Sequence, residues 1–138
     1  MQRRDEYSYV VYFKRLLMKA LTIDGTDETP KVVLDRENQV FEISGRSLPE
    51  DSADFFNPIL EWVRDYRNHP AETTHFVLRL DYLNTASSKF IQDILTGLEG
   101  VPNARITWYY LEDDESMEEI GKEFAELVDV PFDFKVYE

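Results

Sequence analysis

The chain contains no cysteine, only two histidines and five glycines, and its 15 Lys/Arg are outnumbered by 28 Asp/Glu. Each shortage removes a class of chemistry. Without cysteine there is no disulfide, no thiolate metal ligand and no thiol nucleophile, which fits a cytoplasmic protein. His69 stands before a proline and His75 at the start of a strand-like run, so a histidine metal centre lacks clustered donors. Gly25 and Gly45 stand alone in turn-like contexts, and no Gly-rich phosphate loop occurs. No Ser-His-Asp arrangement with its motif context is visible. No apolar run is long enough to span a bilayer. A net charge of −13 works against binding a nucleic-acid backbone or an anionic lipid surface, both of which attract clustered Lys and Arg. The composition therefore points to no cofactor, no metal, no nucleic acid, no membrane and no enzyme. An acidic chain of this kind favours a protein partner.

At 138 residues the chain has enough surface to bury for one domain with a real core. Its charge is uneven. Residues 1–20 hold five Lys/Arg against two Asp/Glu, a balance of +3, which leaves −16 of the total of −13 for the rest. The opening Met1-Gln2-Arg3-Arg4 and Tyr9-Val10-Val11-Tyr12-Phe13 resemble a signal peptide in outline. Lys14-Arg15 interrupts the apolar run and no small-residue cleavage site follows, so that reading is rejected. Residues 1–17 are expected to be an appendage upstream of a start at Met18, with the domain at residues 18–138.

The pattern after Met18 is α/β. Leu21–Ile23, Lys31–Asp35 and Gln39–Ser44 read as strands, separated by turn chemistry at Asp24–Pro30 and Arg36–Asn38. Gly45-Arg46-Ser47-Leu48-Pro49 breaks the pattern. Apolar residues at helical spacing predict helices over Ser52–Asn68, Ala86–Leu98 and Asp113–Val128. Pro58 predicts a kink or a broken start in the first. The third has its stripe through Met117, Ile120, Phe124, Leu127 and Val128. Thr74–Leu83, Ala104–Leu111 and Phe132–Tyr137 complete the order β-β-β-α-β-α-β-α-β, which favours right-handed crossovers and mainly parallel pairing. In Thr74–Leu83 the alternation places Phe76, Leu78, Leu80 and Tyr82 on one face and Val77, Arg79, Asp81 and Leu83 on the other. An Arg and an Asp on the second face imply that it is open to water or to a partner.

Most polar clusters have a structural explanation. Glu112-Asp113-Asp114-Glu115 lacks the alternating ligands and central Gly of a calcium loop and suits a helix start. Asp35 and Asp81 form an acid/base pair only if the fold brings them together. The stretch Asp81-Tyr82-Leu83-Asn84-Thr85-Ala86-Ser87-Ser88-Lys89 is different. It joins a strand to a helix, where unpaired N–H groups accept either a capping oxygen or a phosphate. Asn84 or Thr85 can cap; Thr85, with Ser87 and Ser88 as rivals, can carry a phosphate.

Four segments of the chain resemble the SiaC-type regulatory phosphoproteins of bacteria. They are Leu21-Thr22-Ile23-Asp24-Gly25-Thr26 with Thr29-Pro30, then Phe41–Asp51, Phe55–Trp62, and most tellingly Asp81–Lys89. The resemblance implies a STAS-like single domain, a mixed sheet with helices mainly on one face. It also implies that Thr85 is phosphorylated by a cognate protein kinase and dephosphorylated by a PP2C-type phosphatase. The unphosphorylated form would bind and activate a diguanylate cyclase, linking the switch to cyclic di-GMP and biofilm formation. Asn84, Ser87, Ser88 and Lys89 become the phosphosite's neighbours, available to the phosphate, the kinase or the target. The alternatives are a constitutive protein-binding module using the open sheet face and, third, an enzyme of unknown chemistry.

Overall fold

The structure, a computed structural model, describes residues 18–137; the expected appendage at residues 1–17 lies outside them. Along β4 (Thr74–Leu83), Thr74, Phe76, Leu78 and Leu80 are buried while Arg79 and Asp81 are exposed. A strand of period two that buries one side chain in two has one covered face. The remaining elements are β1 (Leu21–Ile23), β2 (Lys31–Asp35), β3 (Val40–Ser47), α1 (Ser52–Tyr66), α2 (Thr85–Thr96), β5 (Ala104–Leu111), α3 (Glu115–Leu127) and β6 (Phe132–Tyr137). Their order is the one expected from the sequence. The six strands lie side by side in chain order. The first three are antiparallel and β3 to β6 are parallel. Each parallel step crosses through one helix, and every step moves the same way across the sheet. Right-handed crossovers then set all three helices on one side, as the STAS-like reading requires.

The covered face is filled by large side chains. Phe56, Ile59, Val63 and Tyr66 of α1 and Ile91, Ile94 and Leu95 of α2 are buried against Phe41, Ile43, Phe76 and Leu78. The Phe41 and Tyr66 rings meet edge-on at 5.1 Å. Trp108 of β5 is fully buried, and its Nε1–H donates to the Met117 carbonyl at 3.0 Å. α3 lies so close to this indole that a Cβ on Gly121 would fall 2.5 Å from Trp108 Cδ1. Only glycine permits that approach.

Three sequence expectations are corrected. α1 is not broken at its start but runs as one helix through Pro58. The proline and Asp54 are both exposed, so the Asp54 carbonyl that loses its N–H partner faces water. In α3 the buried set is Met117, Gly121 and Phe124, followed by Val128 at the C-cap, and Leu127 is 62% exposed. The glycine is the position that lets the helix descend, which shifts the buried stripe away from Leu127. β3 does not stop before Gly45 but continues to Ser47. Gly45 (φ +106°) pairs with Leu80 and Arg46 with Tyr82, so Asp81 is an extra residue on β4, a β-bulge. The bulge resets the alternation by one. Leu83, not Tyr82, is therefore buried, and Tyr82 is 45% exposed.

Candidate functional site: the turn from β4 into α2

Asn84 is extended (φ −79°, ψ 167°), and its Oδ1 accepts the Ser87 N–H at 2.8 Å. Its carbonyl accepts the Ser88 N–H at 3.0 Å. Asn84, rather than Thr85, is thus the cap, and such a cap contributes about 1 kcal/mol. Thr85 is the first helical residue and is exposed. Its hydroxyl makes no hydrogen bond to another described residue. The N–H groups of Thr85 and Ala86 precede the first intrahelical bond and remain for another acceptor.

The two serines part company. Ser87 is fully buried, and the Ser47 hydroxyl donates to its Oγ at 2.9 Å. It therefore offers nothing to a phosphate, a kinase or a target, contrary to the expectation that it lines the site, and it drops out as a rival phosphosite. Its place is to lock α2 to the end of β3. The Asn84 N–H reinforces that lock by donating to the Ser47 carbonyl at 3.0 Å. Ser88 is half-buried and Lys89 exposed, so both stay beside the turn.

The bulge brings two residues to this end that local patterning places elsewhere, Arg46 in a pattern break and Tyr82 on the covered face. In the structure the Arg46 guanidinium carbon lies 5.3 Å from the Tyr82 ring centroid. Arg46 Nε–H also donates to the Asp27 carbonyl at 3.2 Å. The sequence signal that bears on them is Gly45, whose freedom of φ suits a bulge as well as a break.

The open sheet face carries a polar network that ends at the bulge. Arg79 pairs with Glu42 (Nε to Oε1, 3.1 Å) and lies 4.0 Å over the Tyr109 ring. The Tyr137 hydroxyl donates to Asp81 Oδ1 at 2.9 Å. Burial, and then the Asp81 carboxylate, push the Tyr137 hydroxyl up to about 12. Further along, Arg105 Nη2 donates to His75 Nδ1 at 3.3 Å, so Nε2 carries the proton toward Thr107 Oγ1 at 2.6 Å. Burial, followed by the Arg105 and Lys135 charges, holds His75 below its ordinary value. Asp35 and Asp81 do not meet. Asp35 accepts from Asn38 in the β2–β3 turn at the other end of the sheet. Asn38 likewise holds the Asp35 carboxyl below its ordinary value. In the acidic run, Asp114 caps α3 by accepting the Met117 N–H at 3.0 Å.

Comparison with known proteins places this turn in context. Residues 23–137 match the model of the SiaC family regulatory phosphoproteins. An uncharacterized protein of Pseudomonas aeruginosa (strain UCBPP-PA14) is 32% identical over 125 residues, covering 88% of this chain and 99% of that protein. Apo-SiaC from P. aeruginosa is 33% identical with a TM-score of 0.76, over 85% of this chain and 98% of that one. The SiaC in complex with the diguanylate cyclase SiaD, whose activator it is, is 30% identical with a TM-score of 0.77, over 85% and 99%. This chain belongs to the SiaC family of regulatory phosphoproteins.

Proposed function

We propose that the chain is a non-enzymatic partner switch in the cytoplasm. Phosphorylation of Thr85 releases its target, and the bare form binds and activates a diguanylate cyclase. The observation that carries this reading is the exposed Thr85 hydroxyl, left unused because Asn84 does the capping. A cognate kinase and a PP2C-type phosphatase reach that hydroxyl without unfolding the turn. The added phosphate carries about −1.5 to −2 charges beside unpaired N–H groups at the positive end of the helix. It therefore changes the surface without breaking the fold. A coupling of about 1–3 kcal/mol changes target affinity roughly 5–150-fold, which is enough for a switch. The cyclase as target rests on kinship with the SiaC that activates SiaD.

The test is kinase labelling of wild type and Thr85→Ala, with cyclase affinity measured for the bare and phosphorylated protein. Thr85→Ala is expected to lose the label and keep the target. Labelling that persists in the variant refutes the site. Equal affinity of the bare and phosphorylated forms would instead leave a constitutive binding module.

A further inference from the structure

We propose that Arg46 and Tyr82 form the anchor that grips the target, and that the target enters as a segment offering a carboxylate beside an apolar side chain. The inference rests on the switch reading above and adds the surface and chemistry by which the partner is held. The first ground is the bulge. Insertion of Asp81 into parallel pairing turns the Tyr82 ring outward and buries Leu83 in its stead. Bulges are uncommon between parallel strands and recur where a side chain has to be re-aimed. A regular strand would have buried Tyr82 in the core.

The second ground is the guanidinium. Arg46 is held from two sides, by the Asp27 carbonyl and by the face of Tyr82. Arg36, Arg79 and Arg105 each reach an Asp or Glu oxygen. Arg46, Arg64 and Arg67 reach none among the described residues, and of these three only Arg46 is held in place, by the Asp27 backbone carbonyl and the Tyr82 ring. A pre-ordered, exposed arginine with its terminal nitrogens unclaimed fits one occupant best, a carboxylate gripped by two parallel N–H bonds. The ring beneath supplies the apolar floor, and Tyr and Arg are the residues on which interfaces most often concentrate their binding energy.

The third ground is continuity with Thr85. The Asn84 N–H bond to the Ser47 carbonyl and the Ser47–Ser87 hydroxyl pair join the end of β3 to the start of α2. The anchor and the phosphosite thus belong to one rigid unit. Phosphate on Thr85 adds negative charge to that same unit and so repels the incoming carboxylate, the direction the switch requires.

The experiment titrates full-length wild type, Arg46→Ala, Arg46→Lys, Tyr82→Ala and the control Arg67→Ala against the purified diguanylate cyclase of its own organism. Each protein is measured bare and phosphorylated, with circular dichroism confirming the fold. Arg46→Ala and Tyr82→Ala are expected to weaken binding roughly tenfold or more. Arg46→Lys falls between, because a point charge replaces the fork, and Arg67→Ala binds as wild type. Phosphorylation then weakens Arg46→Ala by a smaller factor than wild type. Arg46→Ala and Tyr82→Ala both within twofold of wild type overturn the anchor and leave the switch standing. Wild-type protein that binds no cyclase in either form sinks the functional reading and the anchor with it. A self-dimer that these variants dissolve, with cyclase affinity unchanged, assigns the pair to a second copy of the chain and also overturns the proposal.

Discussion

α2 and α3 begin with the same device and end up electrostatically different. Each has an Asx cap whose Oδ1 accepts the N–H three residues on, Asn84 to Ser87 at 2.8 Å and Asp114 to Met117 at 3.0 Å. α3 follows its cap with Glu115 and Glu118, whereas the first turn of α2 contains no acid. Carboxylates near a helix N-terminus offset the positive end of the dipole. α3 therefore starts neutralised by its own sequence, and α2 starts with neutral Asn, Thr and Ser. In a chain with 28 acidic residues, that vacancy for negative charge singles out α2. It is the start at which an added phosphate has the most to gain from the helix and the most to change on the surface.

The largest expected effect is a direct attempt to erase the difference. Thr85→Glu gives α2 the acidic first residue that α3 already has in Glu115, and cyclase affinity is expected to fall by several-fold. It falls less than with phosphate, because one carboxylate carries a single charge and fewer acceptor oxygens. Glu115→Gln, the reverse change at α3, is expected to leave affinity unchanged. Titration of both variants against the cyclase checks this; a loss in Glu115→Gln as large as in Thr85→Glu would show that the two starts are not functionally distinct.

The helices differ next in how firmly their bodies are seated. α3 presses Gly121 onto Trp108, and a methyl there has no room. Gly121→Ala is expected to destabilise the fold by about 1–3 kcal/mol, the usual cost of overpacking, read as a lower urea midpoint. Kinase labelling of Thr85 should persist in the folded fraction, since α2 has its own tie to β3. Loss of labelling in folded Gly121→Ala would mean that the two helices are coupled.

Much of this contrast was visible in the sequence. The alternation through Phe76, Leu78 and Leu80 and the helical stripes are local patterns, so element order and the open face around Arg79 followed from them. The strand-to-helix junction carrying Thr85 followed in the same way. The bulge did not, because it is a property of register between β3 and β4. Neither strand alone records that Asp81 is unpaired. Local alternation accordingly puts Tyr82 on the covered face and leaves Arg46 in a pattern break. Ser87 was hidden for a similar reason. Its hydroxyl reads as a surface group until Ser47, forty residues away, is found to meet it. Contacts between distant segments thus account for what local patterning left out.

Removing the caps should show that they are equivalent. Asn84→Ala and Asp114→Ala are each expected to cost about 1 kcal/mol in urea unfolding. A loss at one cap more than twice that at the other would break the comparison.

The smallest effect sharpens it most. Asn84→Asp keeps the cap geometry, because both side chains present the same Oδ1, and adds the single charge that α2 lacks. It is expected to raise stability by about 0.3–1 kcal/mol at low salt, with the gain fading as ionic strength rises. Phosphorylation of Thr85 should then stabilise the variant less than it stabilises wild type. The helix end would already be offset, and the new carboxylate would repel the phosphate. Urea midpoints of bare and phosphorylated protein, for wild type and Asn84→Asp, give the four values needed. A phosphate effect of equal size in both would mean that the empty first turn of α2 has no bearing on the phosphate. The contrast with α3 would then be one of composition only.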